Sequence, residues 1–250
     1  MLRPVNPLIK GTVPFLKGLT GRNTEGPGPI TTAMPRVARQ LQHGYCYHVL
    51  NRGNGRATLF LDRFDYAAFM KLLAGMKAGY EIRLLAHCLM PNHFHLVLEA
   101  EATGAVSEAM QWVQTSYVSR FRVKYGSTGH IFQGRFKSFP IQKDEHLLTV
   151  MRYVERNPVH ANLVESAVDW RWSSARWRGR SAHWLDESPV PLGDDWAAYV
   201  NAPQTAAEVA ALRQSLVRGT PFGAHRWQHE TAEALGLGST LRPRGRPRKN

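Results

Sequence analysis

Cysteine is nearly missing: Cys46 and Cys88 are the only two in 250 residues. They cannot build a disulfide framework or a Cys-x-x-Cys metal site, and a reduced cytosolic compartment fits that usage best. Long apolar runs are missing too. None approaches the roughly 18 residues that a membrane helix needs, so no membrane partner is expected. The opening "MLRPVNPLIKGTVPFLKGLT" lacks the sustained apolar core of a secretory signal. Acid is scarce, with 19 Asp and Glu against 32 Lys and Arg and a formal charge of +13. No acid at all lies between Glu108 and Asp144, an interval that holds six bases. Residues 1–40 carry six bases against one acid, and residues 201–250 eight against three. Basic ends plus a basic stripe point to a polyanion, most simply nucleic acid.

What is present reads as one folded domain between two unlike ends. Residues 1–33 are rich in Gly, Pro and Thr without any period, and are expected to be disordered. Met34 begins a second plausible start. The folded domain is expected over 34–180, a helical region over 181–238 and a basic tail over 239–250. "YCYHVLNRG" reads as a strand, and "LDRFDYAAFMKLLAGMKAGY" as a helix capped by Asp62 with Asp65 three residues on. "IRLLAHCLM" and "HFHLVLEAE" are strands joined at Pro91-Asn92, and "VSEAMQWVQTSYVSRFRVKYG" is a long helix closed by Gly126. "HIFQGRFKSFPIQ" is extended, and "EHLLTVMRYVERN" is a helix that Pro158 ends. The order β-α-β-β-α-β predicts an α+β fold, the ferredoxin-like split β-α-β antiparallel sheet with both helices on one face. A helical C-terminal extension follows it.

Three residues stand out for chemistry. His93 and His95 alternate along one strand, so both rings leave the same face and can share a cation. Two half-buried histidines on a sheet face would look the same. On the long helix, Tyr117 follows Val106, Met110 and Val113 at helical spacing. Spacing leaves two readings open, an aromatic of the core or a phenol aimed at a metal-bound phosphate. Arg120, Arg122, Lys124, Arg135 and Lys137 lie close by in sequence and suit backbone phosphates. Asn51-Arg52-Gly53 either touches DNA or makes a turn.

"MPNHFHLVLE", Tyr117 on the next helix, "GHIFQGRFKS" and "YVERNPVHANLV…DWRWSSA" together resemble the HUH-type single-tyrosine transposases of the IS200-like family. The resemblance is narrower still to the REP-associated tyrosine transposase branch. It covers residues 34–178, and the tail "TLRPRGRPRK" recurs in such proteins. It implies a ferredoxin-like nuclease that cuts and rejoins single-stranded DNA beside a hairpin, acting as a monomer or homodimer in the cytoplasm, at the nucleoid. It also implies His93 and His95 as ligands of Mg²⁺ or Mn²⁺, and Tyr117 as the nucleophile that takes the 5′ phosphate. Relatives place an amide about one turn after that tyrosine as a third ligand. Here Phe121-Arg122 stands in that place, and Gln114, on the same helix face, is the substitute expected. The departure leaves a second reading, a hairpin-binding, repressor-like protein that does not cleave.

In the tail, Pro243-Arg244-Gly245-Arg246-Pro247 is similar to an AT-hook core, in which Arg244 and Arg246 would enter a narrow minor groove. A generic basic tail that binds phosphates is the other reading.

Overall fold

Four strands and the helices between them follow the sequence pattern. The computed structural model describes residues 41–178 and 185–242, all within one compact unit. Strand β1, Cys46–Arg52, is followed by helix α1, Arg63–Gly79, and by strands β2, Ile82–Met90, and β3, His93–Ala100. Helix α2, Ala105–Tyr125, strand β4, Lys137–Ile141, and helix α3, Glu145–His160, complete the central part. Beyond it come α4, Trp196–Asn201, α5, Ala206–Arg218, α6, His225–Ala234, and α7, Gly238–Leu241. The AT-hook-like stretch lies outside the described residues.

The helices start where side chains can serve their free N–H groups. Asp62 caps α1, accepting from the amides of Phe64 (2.8 Å) and Asp65 (3.1 Å), while the Asp65 carboxylate accepts from Leu61 (2.9 Å) in return. Asp144 caps α3 through the amide of His146 (2.9 Å). Gly126, with φ 61°, closes α2 in the left-handed region that glycine favours.

The sheet is antiparallel throughout, in the order β2-β3-β1-β4. With α1 and α2 together on one face, this is the split β-α-β arrangement expected. On that face Phe69, Leu73, Met110, Val113 and Tyr117 pack on Val49, Phe94 and Leu96. The opposite face is covered as well. There α3 lays Leu147, Val150, Met151 and Val154 over Cys88, Val97 and Phe139, and α4 and α5 add Trp196, Val200 and Leu212. Each cluster is a continuous apolar core of the kind that supplies most folding free energy.

Helix α3 does not stop before Pro158; it runs to His160 with the proline inside it. Pro158 has no N–H for the Val154 carbonyl, a loss that normally ends or bends a helix. The Asn157 side chain offsets it in part. Its Nδ2 donates to the Tyr153 carbonyl at 2.8 Å and lies 3.5 Å from that of Val154. On the other side of α3, Glu155 is fully buried. It accepts from Ser174 Oγ (2.5 Å), Arg178 Nε (2.6 Å) and Trp196 Nε1 (2.7 Å), which ties α3 to segments far along the chain.

Candidate active site

Register decides what stands beside the histidines. His95 pairs with Leu50 of β1 and Cys88 of β2, and His93 with Arg52 and Met90. Because side chains alternate, both imidazoles leave the face that α3 covers, as the one-residue spacing predicts. Their ring centroids are 4.9 Å apart. Tyr153 of α3 stands over them, its ring centroid 5.9 Å from that of His95. One turn on, Asn157 lines the same pocket of about 440 Å³, together with Arg52, Arg135 and Lys137. No carboxylate lines it among the described residues.

Each imidazole is held by a partner behind it. Asn92 Oδ1 lies 2.7 Å from His93 Nδ1, and the Asn92 amide nitrogen is engaged by the Arg56 carbonyl (3.2 Å). An amide oxygen only accepts, so His93 Nδ1 carries the proton and Nε2 keeps its lone pair. His48 Nε2 lies 2.9 Å from His95 Nδ1. One of the two donates, and His48 Nδ1 is buried without a partner. Burial holds all three rings neutral, taking His48 down to about 3 and His95 well below the ordinary value. His93 falls to about 4, through burial first and the nearby Arg52 charge second.

Tyr153 is half-buried, and its hydroxyl has no hydrogen-bond partner among the described residues. Burial raises its pKa, while the charges of Arg213 and Arg52 oppose the rise. Asn157, its Nδ2 held by the Tyr153 carbonyl, has an Oδ1 without a protein partner among the described residues.

Tyr117 is elsewhere. It lies in the α1/α2 core, 1% exposed, and its hydroxyl donates to the Leu59 carbonyl (2.5 Å). Burial pushes its pKa far up. The sheet stands between this phenol and the histidines, which corrects the expectation that Tyr117 faces them. Gln114 is corrected for the same reason: on the α2 side its Oε1 accepts from Asn51 and its Nε2 donates to the Met110 carbonyl (3.0 Å). Three of the expected phosphate contacts are engaged within the fold. Lys124 bonds Asp62 and Asp65 (both 2.7 Å), Arg120 reaches the Phe64 carbonyl (3.4 Å), and Arg122 the Gly129 carbonyl (2.8 Å). Arg135 and Lys137 do line the histidine pocket, and Arg244 and Arg246 lie outside the described residues.

With this geometry in view, the family model described as transposase IS200 like matches residues 42–157, from just before β1 into α3. Over that segment the chain matches the IS200-like transposase family. The match ends on Asn157, so the histidine pair, Tyr153 and the amide one turn later all fall inside the transposase segment. A solved structure described as a REP-associated tyrosine transposase bound to a REP hairpin is similar to this chain, at 19% identity and a TM-score of 0.49. The alignment covers 69% of this chain and 96% of that one. Among curated proteins, none matches the chain.

The donors fit a divalent cation. His93 Nε2, His95 Nε2 and Asn157 Oδ1 are two neutral imidazoles and an amide oxygen lining one pocket from β3 and α3, each oriented by a bond from its other end. The orphaned His48 Nδ1 belongs to the same set. If His95 Nδ1 donates to His48, the His48 proton sits on that buried atom and His95 Nε2 is free to coordinate. A cation on Nε2 would select this tautomer. Asp144, Glu145 and His146 also cluster, at the start of α3 and away from this pocket.

The sequence signal for Tyr153 was present. Of the tyrosines on described helices, Tyr66, Tyr117, Tyr125, Tyr153 and Tyr199, only Tyr153 has an amide four residues on. That pair, Tyr153-x-x-x-Asn157, is the spacing sought after Tyr117 and missing there.

Proposed function

We propose that this IS200-like transposase is a metal-dependent enzyme that cuts and rejoins single-stranded, hairpin-forming DNA, with Tyr153 as its nucleophile. The observation that carries the reading is the convergence of His93, His95, Tyr153 and Asn157 on one basic pocket. Mg²⁺ or Mn²⁺ would be held by the two imidazoles and the Asn157 oxygen, and would supply Lewis-acid polarisation of a phosphoryl oxygen.

The chain's own residues account for the rest. Arg52, Arg135 and Lys137 neutralise the phosphates on either side of the scissile bond. The Tyr153 oxygen bonds to phosphorus as the bond to the 3′ oxygen breaks. The phenol gives up a proton, and the departing 3′ oxygen takes one up to leave as a hydroxyl. A covalent 5′-phosphotyrosine results, with one P–O ester exchanged for another, so a new 3′ hydroxyl can reverse the step and join strands. Arg52 and Arg213 favour the developing phenolate. Asn157 holds the tyrosine's backbone carbonyl, so nucleophile and ligand keep a fixed spacing.

The repressor-like alternative rested on Phe121-Arg122 after Tyr117. With Asn157 one turn after Tyr153, that ground is removed. The test is incubation of the full chain with a labelled hairpin oligonucleotide from the DNA beside its coding region, in Mn²⁺, read on a denaturing gel. A protein–DNA adduct in wild type and none in Tyr153→Phe or in EDTA is the expected result. Hairpin retardation on a native gel with no wild-type adduct would sink the cleavage reading. An adduct retained by Tyr153→Phe would sink the choice of nucleophile.

A further inference from the structure

The histidine pocket does not end at Asn157. Tyr153, Asn157 and His160 are four and three residues apart on α3, one helical stripe that runs from the histidines to the helix end. There His160 Nε2 lies 3.1 Å from Arg213 Nη2 of α5. A second cavity of about 760 Å³ opens at this contact, between the end of α3 and α5, and His160 and Val217 line both cavities. Helix α5 lies beyond the segment that matches the transposase family, which ends at 157.

The lining of this second groove is selective. It carries Arg213 and Arg218 and no carboxylate among the described residues. The one acid of α5, Glu208, is engaged at the helix start by Thr205, whose amide it accepts at 2.7 Å. Beside the arginines the wall carries Ala206, Val209, Ala210 and Val217, the last 55% exposed, together with the amides of Gln204 and Gln214. Cations that track a backbone beside a surface on which bases can lie form the usual recipe for single strands, and duplex binding does not require the apolar part. The 13 residues of α5 extend the wall by about 20 Å, enough for a short run of nucleotides.

We propose that the α3–α5 groove binds the single-stranded DNA flank that leads to Tyr153, with Arg213 and Arg218 on its phosphates and Val209, Ala210 and Val217 against its bases. The proposal rests on the reading of the histidine pocket as the cleavage site and extends it to a specificity surface. Arg213 serves both parts, since it bridges to His160 and its charge is felt at Tyr153.

The test compares two probes on the full chain by fluorescence anisotropy across a salt series: a blunt DNA hairpin, and the same hairpin with a single-stranded flank. In Arg213→Ala/Arg218→Ala, affinity for the flanked probe is expected to fall about tenfold, and its salt slope by about 1.4, for two single-strand phosphate contacts. The blunt probe is expected to bind as in wild type. Both arginines lie on one side of a surface groove, and Arg213→Lys/Arg218→Lys is expected to restore most of the loss, which a merely structural role would not allow. Val217→Glu is expected to weaken the flanked probe alone. Equal weakening of both probes, or of neither, overturns the proposal. Adduct formation is read separately, so a flank-selective loss without any adduct would sink the cleavage reading and leave the groove standing.

Discussion

Tyr117 and Tyr153 are the same residue type on the two faces of one sheet, and their surroundings could hardly differ more. Tyr117 sits among Phe69, Phe94 and Phe132, with its hydroxyl spent on a backbone carbonyl. Tyr153 faces His95 across a half-open basic pocket, with its hydroxyl unpartnered among the described residues and two arginine charges working against its burial. A phenol becomes chemically useful through access, charge and neighbours. Tyr153 has an open pocket, Arg52 and Arg213 and the histidines beside it, while Tyr117 is closed off, with Arg120 outweighed by burial and by the Asp65 charge.

The sharpest way to break this contrast is to exchange the hydroxyls. Tyr153→Phe is expected to lower the cleavage rate by ~10⁴ or more, the scale of losing a nucleophile. Tyr117→Phe is expected to leave the adduct yield unchanged, and a single-turnover gel reads both. An adduct lost with Tyr117→Phe and kept with Tyr153→Phe would reverse the assignment.

The amides offer a second, smaller version of the same test. Asn157→Ala is expected to weaken Mn²⁺ binding, followed by calorimetry, by about 10- to 100-fold, whereas Gln114→Ala leaves it unchanged. Should Gln114→Ala weaken the metal and Asn157→Ala not, the cation sits elsewhere. His48→Phe, which removes the support behind His95 Nδ1, is expected to weaken binding by less than Asn157→Ala does.

Acid should act on the histidine face first. His48, His93 and His95 are held neutral by burial, His93 at about 4 against an ordinary value of 6.5. The unfolded chain takes up protons below about 6.5 that the folded chain refuses, so stability is full above that pH and falls as pH drops toward 4. Each such histidine contributes about 1 kcal/mol of loss per pH unit inside that window. Thermal unfolding at a series of pH values reads it, and His48→Phe should flatten the curve. The smallest effect falls on the other face: Tyr117→Phe removes the donor to the Leu59 carbonyl and is expected to lower stability by about 1 kcal/mol in denaturant unfolding.

Much of this was legible in the sequence. Strand alternation put His93 and His95 on one side, the Asp62-Asp65 pair marked a helix start, and Pro91-Asn92 marked the turn between β2 and β3. Tyr117 misled because a helix placed between two strands of the sheet looks like the natural partner of the histidines. Whether a helix covers the same face as a given strand residue depends on how the chain crosses the sheet, which local spacing does not record. Arg120 and Lys124 misled for a related reason. Their partners Asp62 and Asp65 lie some sixty residues upstream, and no window around 120 shows them. Pro158 gave a false helix end, since the Asn157 side chain that helps α3 continue acts only once the helix exists.

The buried Glu155 sets how much of the chain must be inherited together. It lies two residues from Tyr153, and its three donors come from Ser174, Arg178 and Trp196, all downstream of the segment that matches the family. A chain cut at the end of that segment would lose those donors together with the apolar cover that Ala175, Trp196 and Leu212 lay on this face of the sheet. The folded unit of this chain therefore extends at least to Trp196. A recombinant graft of 42–157 alone onto another protein would carry every candidate ligand and the candidate nucleophile, yet would lose the anchor beside them.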